Sequence, residues 1–157
     1  MNILVLNVGS SSLKFRLIDA GEGAIAESRD RCLARGLIDR IGGVAILTLE
    51  ATGRPPVTST AAIRDHAAAV EHLIAWLASS ESGVPVARVC EIEAVGHRGV
   101  HGGERFSRSM HVDNTVWREL ENLIELAPLH NRGRSGFLQA PFRLPASGRY
   151  LESFGCT

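Results

Sequence analysis

This sequence has few cysteines, a single lysine and few aromatic residues, and it contains no long apolar segment. Its three cysteines, Cys32, Cys90 and Cys156, lie far apart and form no C-x-x-C pair, which argues against a disulfide framework and against a zinc site. The opening apolar run is too short for a secretion signal, and no segment approaches the length of a membrane span. We therefore expect a cytoplasmic protein with reduced thiols and no membrane partner.

Neither sign of charge is in excess, because 17 basic residues balance 17 acidic ones. A neutral chain lacks the charge excess that attracts nucleic acid, so we expect no nucleic-acid partner. Lys14 is the one lysine among these basic residues, and the others are arginine. A compact ammonium is well suited to phosphate, although chance placement also explains a single lysine. The 157 residues are enough for one domain with a short appendage.

Two strands separated by a small polar turn are predicted within residues 2–19. Residues 3–6 form an unbroken apolar run, which is typical of a strand buried on both faces. Residues 13–17 alternate apolar with charged side chains, as a half-buried strand does. Because the two strands follow each other closely, they are predicted to pair as a hairpin.

The turn of this hairpin carries groups suited to a phosphate site. Gly9 can adopt backbone angles closed to other residues, and the hydroxyl and N–H groups around Ser10 and Ser12 can surround a phosphate chain. Lys14 supplies the counter-charge, while Asn7 offers a neutral oxygen suited to hydrated magnesium. An ordinary hairpin accounts for the same pattern equally well.

Further strands are predicted at residues 24–26, 37–41 and 44–49, the last two joined by a glycine turn. Consecutive strands joined by turns favour an antiparallel start to the sheet. After the next helix, residues 84–90 and 92–95 return the chain to the sheet, which favours a parallel crossover.

The intervening helix is the clearest one in the sequence, since apolar residues recur at steps of four and three. These residues are Ile63, Ala67, Val70, Ile74 and Leu77. A cap is expected among residues 58–60, which are all serine or threonine. We interpret Trp76, His66 and His72 as packing or solvated groups rather than ligands, because no acid or thiol shares their spacing.

A second glycine-rich stretch, residues 96–106, follows the returning strand and also contains histidine and arginine. The carboxyl end of such a strand is where α/β folds bind ligands, although a solvated turn is the alternative interpretation. A second amphipathic helix is predicted over residues 113–127 and is closed by Pro128.

The composition changes at Arg132. Residues 132–157 contain four arginines against one acid, and they hold four of the eight aromatic residues of the chain. They show no helical or strand period, so we expect an irregular tail after a domain at residues 1–131.

Three motifs together resemble the N-terminal part of the acetate and propionate kinase family. They are ILVLNVGSSSLK at residues 3–14, GHR followed by VHGGE within residues 96–104, and LAPLHN at residues 126–131. All three occur in the family's order, which is far more specific than one glycine-rich turn. The resemblance covers residues 1–131 and implies an α/β, ribonuclease-H-like mixed sheet of the acetate and sugar kinase, Hsp70 and actin superfamily.

This resemblance implies that ATP transfers its γ-phosphoryl group to acetate, with magnesium, to give acetyl phosphate and ADP. It implies that Asn7 lies at the magnesium and that Ser10, Ser12 and Lys14 line the phosphate side. For the intact family enzyme it also implies a homodimer. In-line phosphoryl transfer depends mainly on positioning and neutralised charge, which agrees with these residue types.

The resemblance also implies a substrate side. Arg98 matches the arginine that holds the substrate carboxylate or the moving phosphoryl group, and a guanidinium can grip either one through two hydrogen bonds. Val100 and Leu129 match residues that line the acetate methyl pocket, and His130 matches a histidine near the active site. Gly99 departs from the family, which usually has valine there, and this change adds backbone freedom beside Arg98.

The family's catalytic aspartate, second arginine, adenosine-binding region and further magnesium carboxylate belong to a much longer chain, and no residue here is a certain catalytic one. We therefore expect a truncated chain that is inactive alone, with a tail whose composition resembles an out-of-frame reading of a GC-rich gene. A propionate or other short-chain carboxylate kinase is one alternative. A non-catalytic remnant that binds phosphate is another.

Overall fold

A computed structural model describes residues 1–21, 30–85, 89–99, 110–111 and 149–154, with side chains as far as His97. The strands are β1 (Asn2–Val8), β2 (Ser12–Asp19), β3 (Arg31–Asp39), β4 (Gly43–Ala51), β5 (Val57–Ile63), β6 (Ile92–Gly99), β7 (Met110–His111) and β8 (Arg149–Phe154). The helix α1 (His66–Ala78) lies between β5 and β6 in the chain. No helix in these stretches is long and apolar enough to cross a membrane.

All eight strands belong to one mixed sheet, in the order β5-β4-β3-β2-β1-β6-β8-β7. The first five strands form an antiparallel meander. The strand β6 then pairs parallel to β1, β8 pairs parallel to β6, and β7 pairs antiparallel to β8. This arrangement confirms the predicted α/β class, the opening hairpin, the antiparallel start and the parallel crossover.

The start of α1 differs from the sequence prediction. Residues 58–60 do not cap a helix but lie within β5, which pairs with β4 along its whole length. The N-cap is Asp65, whose carboxylate accepts a hydrogen bond of 2.8 Å from the backbone N–H of Ala68. Ile63 is therefore the buried last residue of β5. Threonine is favoured both as a helix cap and in strands. Here the pairing of residues 58–60 with β4 places them in a strand.

Some of the other predicted elements match the structure, and others differ from it. The strands predicted at 37–41 and 44–49 correspond to β3 and β4, but β3 begins earlier, at Arg31, and ends at Asp39, so residues 40 and 41 lie in the turn. The return strand begins at Ile92, and the described parts of residues 84–90 lie outside it. The tail predicted to be irregular includes β8, so that stretch is a strand. Residues 24–26 and 113–127 lie outside the described residues, and the division at residue 131 stays a prediction.

One face of the sheet packs against α1 and forms the core. Its buried side chains come from alternate positions of β1 to β4 and meet Val70, Leu73 and Leu77 of α1. The Phe15 ring meets the Trp76 ring edge to face, with 6.0 Å between their centroids. Trp76 is thus a packing residue, as the sequence analysis interpreted it. Strand alternation sends the intervening side chains of β1 to β4 to the opposite face.

Candidate phosphate site

The face of the sheet opposite α1 carries the polar side chains. A hollow of about 550 Å³ lies over β1 to β4 on this face. Its lining residues are Val5, Asn7, Lys14, Phe15, Arg16, Arg35, Gly36, Leu37, Thr48 and Glu50. Most of its polar side chains are exposed to solvent.

Asn7 and Lys14 lie side by side at the loop end of this face. They are cross-strand partners in the antiparallel pairing of β1 with β2, and both side chains are exposed. Cross-strand partners point to the same face of a sheet, with their Cβ atoms ~5 Å apart. The structure therefore brings together two of the residues that the sequence analysis selected, an amide oxygen and an ammonium.

The β1–β2 loop beside this pair is compact. The backbone N–H of Gly9 donates to the carbonyl of Ser12 over 2.8 Å, which closes the loop on itself. A Cβ atom at position 9 would lie only 2.6 Å from Ser12 Oγ, so a larger residue there would force the Ser12 side chain to move. Ser10 and Ser11 are exposed at the tip, and Ser12 is half-buried. Serine hydroxyls and loop N–H groups are therefore available beside Lys14.

The backbone of β6 brings Arg98 to the same end of the sheet. Its neighbour His97 is buried and pairs with Leu6 of β1, one residue before Asn7. Arg98 itself pairs with Ser153 of β8. The described side chains stop at His97, so a shared site of Asn7, Lys14 and Arg98 stays a prediction. The other substrate-side residues, Val100, Leu129 and His130, lie outside the described residues.

An ion pair occupies the far part of the hollow. Arg35 donates two hydrogen bonds to the Glu50 carboxylate, at 2.9 and 3.1 Å, across the β3–β4 pairing. The hydrogen bonding of Arg35 to the Glu50 carboxylate, and the negative charge of that carboxylate, raise the pKa of Arg35. Lys14 and Arg16 form no ion pair with a carboxylate among the described side chains. Among the described residues that line the hollow, the positive charge without a carboxylate partner thus lies on β2, next to the loop of residues 9–12, which we call the serine loop.

Magnesium fits this arrangement if phosphate oxygens supply most of its ligands. No group of three histidine, cysteine or acidic residues among the described residues could enclose a metal ion by itself. Magnesium commonly keeps several waters and binds through one or two protein oxygens together with substrate phosphates. The exposed amide of Asn7, next to Lys14, is suited to that role.

The β3–β4 turn is a neighbour of the serine loop that the sequence patterns did not predict. The backbone N–H of Ile41 donates a hydrogen bond of 2.9 Å to the carbonyl of Ser11. The backbone N–H of Gly42 donates a hydrogen bond of 2.8 Å to the carbonyl of Ile63. Ser12 also pairs with Asp39, the last residue of β3. The predicted antiparallel strand order could have indicated this contact, because it places the β1–β2 and β3–β4 connections at the same end of the sheet.

Comparison with known proteins gives matches over most of this chain. The family model described as the acetokinase family matches residues 2–145. The chain is 45% identical over 137 residues to an acetate kinase of Chloroherpeton thalassium, and 48% identical over 132 residues to one of Solibacter usitatus. These matches cover 83% of this chain but 33% and 32% of the relatives. The chain thus spans about a third of the length of these curated relatives.

Two solved structures resemble the fold closely. A crystal structure of Porphyromonas gingivalis acetate kinase matches with a TM-score of 0.79 and 34% identity, over 98% of this chain and 37% of that chain. A propionate kinase from Francisella tularensis matches with a TM-score of 0.75 and 27% identity, over 98% of this chain and 36% of that chain. The resemblance of the three motifs to this family is therefore confirmed.

Proposed function

The chain belongs to the acetokinase family, and from this membership we propose that it forms the phosphate-binding part of a kinase that transfers the γ-phosphoryl group of ATP to acetate. The observation that carries the proposal is the pairing of Asn7 with Lys14 beside the serine loop. In this proposal, Lys14, Ser10 and Ser12 bind the phosphates, and Asn7 contributes an oxygen to magnesium. The proposal also places the protein in the cytoplasm.

Arg98, Val100, Leu129 and His130 form the substrate side of this proposal. The support for Arg98 is its backbone position on β6, one residue beyond the pair of His97 with Leu6. A guanidinium there can hold the acetate carboxylate or the phosphoryl group in flight. The homodimer of the intact family enzyme also belongs to the proposal.

A chimaera tests the proposal directly. Residues 1–131 of this chain would replace the matching residues of the Chloroherpeton thalassium acetate kinase, which is 45% identical. We expect a folded chimaera that forms acetyl phosphate from ATP, magnesium and acetate, and whose activity Arg98→Ala removes. Circular dichroism establishes folding, and a folded chimaera without activity would contradict the proposal.

Propionate is a second candidate substrate, because one of the matching structures is a propionate kinase. The same chimaera separates the two acids when kcat/KM is measured with each. One methylene group in an apolar pocket changes this ratio by ~10- to 200-fold, so a preference in either direction is easily measured. A chain that binds phosphate without supporting transfer would give a folded, inactive chimaera that still binds tripolyphosphate.

A further inference from the structure

Arg40 has an unusual backbone conformation. It is the one residue other than glycine with a positive φ in the described part of the chain, at 59°. This left-handed region is unfavourable for a side chain with a Cβ atom, whereas glycine adopts it freely. Such residues persist where the surrounding structure enforces the conformation, and they are concentrated at functional sites.

The turn that contains Arg40 is fastened to the serine loop. The residue before it, Asp39, pairs with Ser12, and the N–H of the residue after it, Ile41, donates to the carbonyl of Ser11. The backbone of Arg40 is thus held between two contacts with the β1–β2 loop. Its position relative to the proposed phosphate site is fixed by the sheet.

The charge of Arg40 is available to a ligand. Its side chain is exposed, and it forms no ion pair with a carboxylate among the described residues. Lys14 pairs with Leu37, three residues before Arg40. Three residues of an extended strand span ~10 Å, so the backbones of Lys14 and Arg40 are about that far apart along the strand direction. Two long cationic side chains at that separation suit a chain of phosphates better than a single phosphate.

We propose that Arg40 is a second cation of the phosphate site and binds the part of a nucleotide polyphosphate that extends beyond Lys14. This inference rests on the proposed function, which supplies the polyphosphate. The left-handed backbone at Arg40 is then tolerated because it keeps a guanidinium next to the serine loop.

Binding of sodium tripolyphosphate and of inorganic phosphate to the chain of 157 residues tests the inference. Amide NMR shifts of Gly9 to Ser12 report binding at the loop. We expect Arg40→Gly to weaken tripolyphosphate binding about two- to fivefold and to affect inorganic phosphate less. Arg40→Lys, which keeps the charge, should retain most of the affinity. Because glycine suits the backbone, the Tm of Arg40→Gly should stay the same or rise by up to ~4 °C.

Two further variants show whether the role of Arg40 or the proposed phosphate site itself is wrong. Arg31→Gly removes an exposed arginine from the opposite end of β3 and should leave binding unchanged. An equal loss in Arg31→Gly and Arg40→Gly would show an effect of net charge and overturn the inference. If Lys14→Ala weakens binding and Arg40→Gly does not, the role of Arg40 is wrong and the proposed site stands. If the wild-type loop shows no shift, or Lys14→Ala changes nothing, the proposed phosphate site itself fails.

Discussion

At the residue scale, single side chains on the two faces of the sheet have different physical roles. On the core face, Phe15 lies opposite Gly36, which leaves room for the aromatic ring. On the other face, Asn7 lies opposite Lys14, and both remain exposed. The first pair bears on stability, and the second pair is the one that we propose for binding.

Gly36→Ala should destabilise the fold. A Cβ atom there would lie 2.6 Å from Phe15 Cε1 and 2.6 Å from the carbonyl oxygen of Thr48, and the backbone oxygen cannot move without disturbing β4. Overpacking of this kind typically costs ~1–3 kcal/mol, measurable as a lower urea midpoint. Gly43→Ala is the matched control, because nothing lies within 4 Å of its added Cβ. Equal midpoints for the two variants would contradict the close packing at Gly36.

Asn7→Ala should weaken tripolyphosphate binding only when magnesium is present. If the amide oxygen of Asn7 contacts the hydrated ion, its loss removes one polar interaction, worth about fivefold in affinity. Binding without magnesium should be unchanged. Calorimetric titrations with and without magnesium give the comparison, and Thr48→Ala, which lines the same hollow, is the control. A loss that is equal in both titrations would count against metal binding at Asn7.

At the scale of elements, the start of α1 depends on one side chain. The Asp65 carboxylate accepts a hydrogen bond from the backbone N–H of Ala68, and β5 ends at Ile63, two residues before Asp65. Serine and threonine at residues 58–60 were plausible caps in the sequence, but their backbone groups pair with β4. A side chain can cap a helix only where the backbone is no longer hydrogen-bonded within the sheet.

Asp65→Ala should lower the free energy of unfolding by ~1 kcal/mol, as the loss of an N-cap usually does. Arg64→Ala is the control, because it removes the exposed ion pair of Arg64 with Asp65 and leaves the cap intact. Exposed ion pairs contribute little, so Arg64→Ala should be nearly neutral. Urea denaturation of the two variants decides whether the cap or the ion pair stabilises the helix.

At the scale of the whole molecule, our proposal gives this chain one end of a phosphoryl-transfer site. In the proposal, Lys14 and the serine loop bind phosphate and Asn7 binds magnesium, and β6 brings the backbone of Arg98 to the same end of the sheet. The relatives are about three times as long as the part that this chain matches. The family resemblance implies that the remaining catalytic groups belong to the part of the relatives that this chain does not match.

The polypeptide of 157 residues, assayed by itself, should therefore form no acetyl phosphate from ATP, magnesium and acetate. Removing one arginine finger from a phosphoryl-transfer site costs ~10³- to 10⁵-fold in rate, and the family resemblance implies that several such groups lie outside the part matched by this chain. The hydroxamate assay for acetyl phosphate, with a no-enzyme control, measures this. Product that disappears with Arg98→Ala would show that this chain carries a complete site.

Much of the fold and part of the site were predictable from local patterns. The hairpin of β1 and β2, the antiparallel start and the parallel return are confirmed, because alternation and turn residues indicate the order of the strands. The apolar run at residues 3–6 predicted burial of β1 on both faces, and this is wrong, because Val5 is 37% exposed on the face that carries the hollow. The pairing of Asn7 with Lys14 follows from the hairpin, since a short turn sets the register of its strands. The cap of α1 was predicted wrongly because a run of serine and threonine suits a strand as well as a helix start.

The sequence by itself determined the alternation that separates a core face from a polar face, and it determined that Asn7, the serine loop and Lys14 lie together. These features depend on residues close in the chain. Only the tertiary structure decided that the turn at Arg40 is fastened to the serine loop and that β5 continues to Ile63. Those outcomes depend on backbone hydrogen bonds between segments about 20 to 30 residues apart, and backbone groups are the same in every sequence.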